Sequence, residues 1–284
     1  MPPEPNEPSR EALRSAARSG DAEAQFRLGC HYDRERPKNR SAAIRWYLKA
    51  AHQSHREAQN FLGESYRDGW GVEMNLETAA FWFKKAAAQG ESVAQLSLGY
   101  ALFYGEGIAR NEIEALRWYR RSARSGNAAA MGNIASMYCR GVVVRQYWTM
   151  AIRWYRKAAE AGNVTAMHWL GRIYAGQEEY PEQVDKAIYW LKQAASAGDA
   201  QSQGILGTYY FNGEGVRKNR PLAAKLYRAS AEQGDTWSQY LLGLCYQDGD
   251  GVKRNKRWAL HWFDQAAVDT PEAKKAAKKL RENG

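Results

Sequence analysis

The motif AIRWYRKAAEAG at residues 151–162 returns in near-copies at 79–90 (AAFWFKKAAAQG), 115–126 (ALRWYRRSARSG) and 187–198 (AIYWLKQAASAG). Aligned on tryptophan, the copies form the column Trp46, Trp82, Trp118, Trp154, Trp190, Leu226 and Trp262, with 36 residues per step. A fixed period of this size restricts a chain to a solenoid or a propeller, because each unit buries its apolar face only against its neighbours. The spacing within the unit selects helix: Ala151, Trp154, Tyr155, Ala158 and Ala159 stand at i, i+3, i+4, i+7 and i+8, one stripe of an α-helix. We name this helix B and read its tryptophans as core.

A second pattern precedes each helix B. Ala58, Leu62, Gly63 and Tyr66 recur as Ala166, Leu170, Gly171 and Tyr174, then as Ser202, Leu206, Gly207 and Tyr210, and again as Ser238, Leu242, Gly243 and Tyr246. Their spacing spans about 140° of a helical wheel, which predicts a core-facing helix A. Its recurring glycine lowers helix propensity by about 1 kcal/mol relative to alanine, so it is expected to allow close approach. Between A and B lies a glycine loop, GWGVEMN at 69–75, GEGIARN at 105–111, GEGVRKN at 213–219 and GDGVKRN at 249–255. Paired glycines permit positive φ, the next apolar residue (Val72, Ile108, Val216, Val252) is expected to fold back on the hairpin, and the asparagine is a helix N-cap. The Gly-X-Gly ends a helix and follows no strand, which excludes a nucleotide-binding loop.

The composite LGxxYxxGxGVxxN…AxxWYxxAAxxG resembles the Sel-1-like repeat family, relatives of tetratricopeptide repeats with a slightly longer unit, over residues 10–269. The resemblance implies an all-α fold, a right-handed α/α superhelix (solenoid) of about seven helix-turn-helix repeats. It also implies a protein-binding scaffold of the kind found in signalling, quality-control or host-interaction complexes. Residues 1–9 are expected to be a flexible arm, 10–20 a half-repeat covering the first unit, and 270–284 a basic capping helix with Ala273, Ala276, Ala277 and Leu280 inward. In repeat 1 the loop is two residues shorter. In repeat 4, Ala135 replaces the helix A glycine and the loop reads GVVVRQYW, with Val143 where a glycine belongs. A β-branched residue resists positive φ, so that loop is expected to take another path. Repeat 5 carries GQEEYPEQVD at 176–185, with Pro181 expected to start its helix B.

With 44% hydrophobic residues the chain has ample material for a core, and the helix B columns absorb much of its 11 tryptophans and 17 tyrosines. The net charge of +10 is partly built into helix B as a ladder of Lys84, Lys85, Arg120, Arg121, Arg156, Lys157, Lys192 and Arg228. That ladder is either a solvated outer face or a surface for an acidic partner. Cys30, Cys139 and Cys245 fall in different columns, so no disulfide framework is readable. No apolar run suits a signal peptide or a membrane span, and a reducing, cytoplasmic setting is expected. His52 and His55 at i, i+3 lack the ligands that would complete a zinc site, and no catalytic motif is present. No cofactor or enzymatic activity is expected.

Binding remains. In such solenoids helix A lines the concave surface, and its outward columns give Asn60, Glu64, Arg67, Leu96, Tyr100, Phe103, His168, Arg172, Phe211, Tyr240 and Leu244 as candidate contacts. Leu96, Tyr100 and Phe103 would form one cluster and Phe211, Tyr240 and Leu244 another, either exposed as anchors or buried between repeats. Val142, Val143, Tyr147 and Trp148 are a possible docking loop, either folded into the core or exposed as an apolar patch. The leading expectation is a protein or peptide partner held by a monomer or weak homodimer. The alternative is a polyanion on the basic ladder and C-terminal helix, with nucleic acid less expected than protein.

Overall fold

A computed structural model describes residues 10–34, 39–143, 146–176 and 182–282. All sixteen elements among these residues are helices. After α1 (Arg10–Arg18) come seven A–B pairs: α2 (Ala22–Arg34) with α3 (Arg40–His52), α4 (Arg56–Asp68) with α5 (Leu76–Ala88), α6 (Ser92–Tyr104) with α7 (Glu112–Arg124), α8 (Ala128–Arg140) with α9 (Trp148–Glu160), α10 (Val164–Tyr174) with α11 (Val184–Ser196), α12 (Ala200–Asn212) with α13 (Arg220–Ala231), and α14 (Thr236–Asp248) with α15 (Lys256–Ala266). The last helix is α16 (Pro271–Glu282). The chain divides into two compact units, Met1–Tyr147 and Trp148–Gly284, and the division falls in the irregular loop of the fourth repeat. Within each unit every helix packs on the next, α1 through α8 in the first and α9 through α16 in the second.

Local chemistry sets the helix ends. Asn75, Asn111, Asn219 and Asn255 cap the B helices, each side-chain oxygen accepting the backbone N–H three residues on at 2.8–3.0 Å. A second set of caps, Asn127, Asn163, Asp199 and Asp235, does the same for the A helices at 2.7–3.1 Å. Each such cap stabilises its helix by about 1 kcal/mol. Val72, Val216 and Val252 fold back onto the hairpin cores. Val143 departs from expectation. It adopts φ 65°, the conformation of the glycine it replaces, so the loop keeps its turn at that residue and carries the strain. The reason is room: a Cβ on Gly107 would lie 2.0 Å from the Leu76 carbonyl oxygen, whereas Val143 is 42% exposed. Pro181 lies outside the described residues, and α11 begins at Val184 with Gln183 at its cap.

The tryptophan column also needs correction. Only Trp82 and Trp262 are buried, and Trp46, Trp118, Trp154 and Trp190 are half-buried. The residue after each one forms the core: Tyr47, Phe83, Tyr119, Tyr155, Leu191 and Phe263 are buried, as is Tyr227 after Leu226. The buried arc of α9 includes Ile152 as well as Ala151, Tyr155, Ala158 and Ala159, which turns its centre away from Trp154. The helix A glycine is the socket for this ring. A Cβ on Gly29, Gly63, Gly99, Gly207 or Gly243 would come within 2.5–2.8 Å of the ring of Tyr47, Phe83, Tyr119, Tyr227 or Phe263.

A glutamine column, absent from the sequence expectations, ties five of the seven A helices to the helix before them. The Nε2 atoms of Gln25, Gln59, Gln95, Gln203 and Gln239 donate to the carbonyls of Ala17, Ala51, Ala87, Ala195 and Ala231 at 3.0–3.3 Å. Repeats 4 and 5 carry Met131 and Met167 at this position. Each helix B except the last runs out through a residue of positive φ with open space around it, Gly90, Gly126, Gly162, Gly198 or Gly234, replaced by Ser54 at φ 64° in repeat 1. At the C-terminus Ala273 and Ala277 of α16 are buried against Ala259, Phe263 and Ala266, with Ala276 and Leu280 beside them.

Candidate functional site

The outward residues of helix A differ sharply from repeat to repeat. The column that starts at Phe61 continues, at 36-residue steps, as Ser97, Asn133, Trp169, Ile205 and Leu241. Where the small Ser97 and the polar Asn133 stand, the first unit opens a cleft of about 440 Å³. Its lining includes Leu76, Ala79, Ala80 and Phe83 of α5, Leu96, Ser97 and Tyr100 of α6, and Ala129 and Asn133 of α8. Ala79, Ala80 and Phe83 are buried, whereas Tyr100 is 44% exposed. Arg67, Asp68 and Glu106 complete the lining.

Three of the residues proposed from the sequence, Arg67, Leu96 and Tyr100, therefore meet in one cleft. Phe103 lies beside it in a smaller depression shared with Tyr100, Tyr104 and Asn133. The Tyr100 and Tyr104 ring centroids are 4.4 Å apart. Tyr104, at 54% exposure, is the aromatic that the column reading missed. It is the last residue of α6, one turn beyond Tyr100, and an i, i+4 search from Tyr100 would have found it.

Charge gathers on the α4 side. The Arg67 guanidinium donates to both oxygens of Asp68 at 2.7 and 2.8 Å, and this pairing holds the Asp68 carboxyl below its ordinary range. Burial pushes the Glu64 carboxyl up, and Asn60 Nδ2 donates to it at 3.2 Å. The Glu106 carboxylate has no hydrogen bond or ion pair among the described residues. Partial burial, and then the charge of Glu106, raise the Tyr100 hydroxyl above its ordinary pKa.

The remaining candidates stand outside the lining of this cleft. Asn60 and His168 are buried. His168 Nδ1 lies 2.9 Å from Ser202 Oγ and 3.1 Å from Asp199 Oδ1. Burial opposes ionisation of Asp199, but the bonds from His168 and Ser202 outweigh it and bring the carboxyl down to about 2. Arg172 stacks over Trp169 at 4.9 Å. Phe211 packs on the core of the sixth and seventh repeats under Arg220, whereas Tyr240 and Leu244 pack against the cluster that includes α16. Of the loop residues, Val142 and Trp148 are half-buried and Val143 and Tyr147 are exposed.

The basic ladder is exposed but engaged. Arg120 and Arg156 donate to the hydroxyls of Tyr138 and Tyr174, eighteen residues on, at 3.2 and 3.5 Å, and Arg228 does the same to Tyr246. Lys49, Arg121 and Lys157 lie over the rings of Trp46, Trp118 and Trp154 at 4.4, 4.4 and 5.0 Å, a cation–π contact that covers the half-buried indoles. His55 caps α4, and His52 packs edge-on against Trp82. Cys30, Cys139 and Cys245 form no disulfide, and burial pushes the Cys245 thiol up to about 12. Among the described residues no group of three or more His, Cys, Asp and Glu side chains could hold a metal ion, and no helix is long and apolar enough to cross a membrane.

Helical hairpins closed by ring-and-glycine sockets, repeated along the chain, define an all-α repeat protein. Residues 22–55, 56–91, 92–127, 128–163, 164–199, 200–235 and 238–267 each match the Sel1 repeat. The chain belongs to the Sel1 repeat family. It is similar to the crystal structure of c5321, a protective antigen of uropathogenic Escherichia coli strains with an SLR fold, at 33% identity and a TM-score of 0.88. That match covers 97% of this chain but 60% of the antigen, so the chain spans less than two thirds of that relative's length. A Sel1 repeat protein from Oxalobacter formigenes matches at 27% identity and a TM-score of 0.79, over 86% of this chain and 100% of the other. A comparison with curated protein sequences gave no match.

Proposed function

We propose that this protein is a non-catalytic scaffold that holds a partner protein or peptide on its helix A face, with the cleft around Tyr100 as an anchor point. Sel1 repeat proteins are generally protein-interaction scaffolds. The observation that carries the reading is the cleft itself: the column that is bulky at Phe61 turns small at Ser97, and an apolar floor lies open beside a half-exposed tyrosine. Anchoring pockets with aromatic walls dominate interface energetics. A polyanion on the basic ladder is the weaker alternative, because several of its cations are held by tyrosine hydroxyls and indole faces.

The test is to fill the cleft without touching the core. Phage-displayed peptides selected on the wild-type chain should bind Ser97→Phe at least tenfold more weakly, with the helical circular dichroism unchanged. Tyr100→Ala should weaken the same peptides. If both variants bind the selected peptides as the wild type does, the cleft is not the anchor.

A further inference from the structure

The cleft is acidic in a basic protein. Against a chain charge of +10, its lining carries two carboxylates, Asp68 and Glu106, and one guanidinium, Arg67. Arg67 is already committed, forked onto Asp68, which leaves the Glu106 carboxylate without an ion pair among the described residues. Glu64, one turn before Asp68 on α4, stands outside the lining, half-buried, with Asn60 as its hydrogen-bond donor. Glu106 stands in the loop after α6, close enough to Tyr100 for its charge to act on that hydroxyl. The opposite side is apolar: Leu76, Ala79, Ala80 and Phe83 form the floor and Leu96 a wall. A space of about 440 Å³ falls in the range of pockets that enclose a small ligand, roughly 300–1,000 Å³. It has room for one aromatic side chain together with part of its neighbour.

We infer that the cleft binds a partner segment in which an aromatic residue sits next to an arginine or lysine, the ring entering the apolar floor beside Tyr100 and the cation resting between Tyr100 and the carboxylate of Glu106. This specifies the partner within the scaffold reading and rests on it. The exposed part of Tyr100 attracts a cation through its ring quadrupole, and the Glu106 carboxylate complements its charge and sets partner choice more than raw affinity. The chain's own residues 1–9, MPPEPNEPS, do not fit: they carry Glu4 and Glu7, no aromatic residue and no lysine or arginine.

The experiment is a positional scan of hexapeptides, acetylated and amidated at their ends, measured by fluorescence polarisation on the full chain. We expect an aromatic residue at one position and arginine or lysine at an adjacent one. Affinity should fall about fivefold in Glu106→Gln, and wild-type affinity should fall as salt rises while the variant's changes less, since rim charges are screened. Glu106→Lys should turn the second preference towards acidic residues. Both substitutions are at Glu106, half-buried in the loop after α6 and outside the hydrophobic core, and circular dichroism checks the fold. Indifference to charge, or a preference for acidic peptides on the wild-type chain, overturns this inference; if Ser97→Phe still abolishes binding, the scaffold reading stands. Absence of any peptide binding sensitive to Ser97→Phe overturns both. Tighter peptide binding by a chain lacking residues 1–9 would assign the cleft to that segment. Self-association lost in Ser97→Phe would assign it to a second copy. Either result overturns the inference.

Discussion

On the helix A face of the first unit the column that begins at Phe61 continues as Ser97 and Asn133, and a cleft opens. In the second unit the same column reads Trp169, Ile205 and Leu241, and these side chains occupy the position: Trp169 stacks under Arg172, Ile205 packs on the Leu191–Leu206 cluster and Leu241 on the Ala223–Leu242 cluster. Beneath both surfaces lies one frame of glycine socket, buried ring and glutamine tie. Cores and outer columns are separate layers of information on the same helix, and a change of two residues in the outer layer accompanies the opening of a cleft.

The largest effects should fall on the shared frame and be equal in the two units. Tyr119→Ala in the first and Phe263→Ala in the second should each lower stability by about 3–5 kcal/mol, because each empties a closed socket. Denaturant melts giving unequal losses, by more than about 2 kcal/mol, would show that the two frames are not equivalent. Leu241→Ser, which puts into the second unit the residue that opens the first, should lower stability by about 2–3 kcal/mol. An unchanged melting temperature would mean that this column does no packing there. Gln95→Leu and Gln239→Leu each leave a buried carbonyl without its side-chain donor and should lose about 1–2 kcal/mol. A neutral outcome in either would remove the tie from the frame.

Two smaller effects distinguish the units. The Asp199 carboxyl, at about 2 against an ordinary 3.8, is depressed in the folded state. Its contribution is present above pH 4 and is lost as pH falls towards 2. Because the group is partly exposed, that contribution is about 1 kcal/mol. Asp199→Asn should flatten the acid limb of the second unit over this window and leave the first unchanged. In the first unit Val143→Gly should raise stability by up to about 1 kcal/mol by releasing the left-handed strain. A loss on melting would show that the valine side chain contributes packing that outweighs its strain.

Period, helix type, paired loop glycines and asparagine caps were all legible in the sequence, because each depends on contacts within one hairpin. Two features were not. The choice between Trp154 and Tyr155 as the buried ring turns on the centre of an arc, and Ile152, which shifts that centre, stands one position outside the stripe that the tryptophans suggest. Ile44, Leu116 and Ile188, buried at the equivalent positions, carried the signal. The glutamine tie was visible as a column but not as a bond, since its acceptor is a main-chain carbonyl eight residues back. Of the residues that line the cleft, Arg67, Leu96 and Tyr100 were among those named from helical register. The cleft was not, because it is made by Ser97 and Asn133, which attract attention only by being smaller or more polar than their counterparts in other repeats.

The open glycines at the ends of the B helices have a consequence for how such a chain can change length. Gly198 and Gly234 have nearly the same φ, 92° and 94°, with nothing close to either, and each is followed by an aspartate that caps the next helix. Excising residues 199–234 would join Gly198 to Asp235 and recreate the same Gly-Asp junction. The gene for such a protein can drop or duplicate one cassette without inventing a new joint, and with it can move a cleft closer to, or further from, whatever else the chain carries.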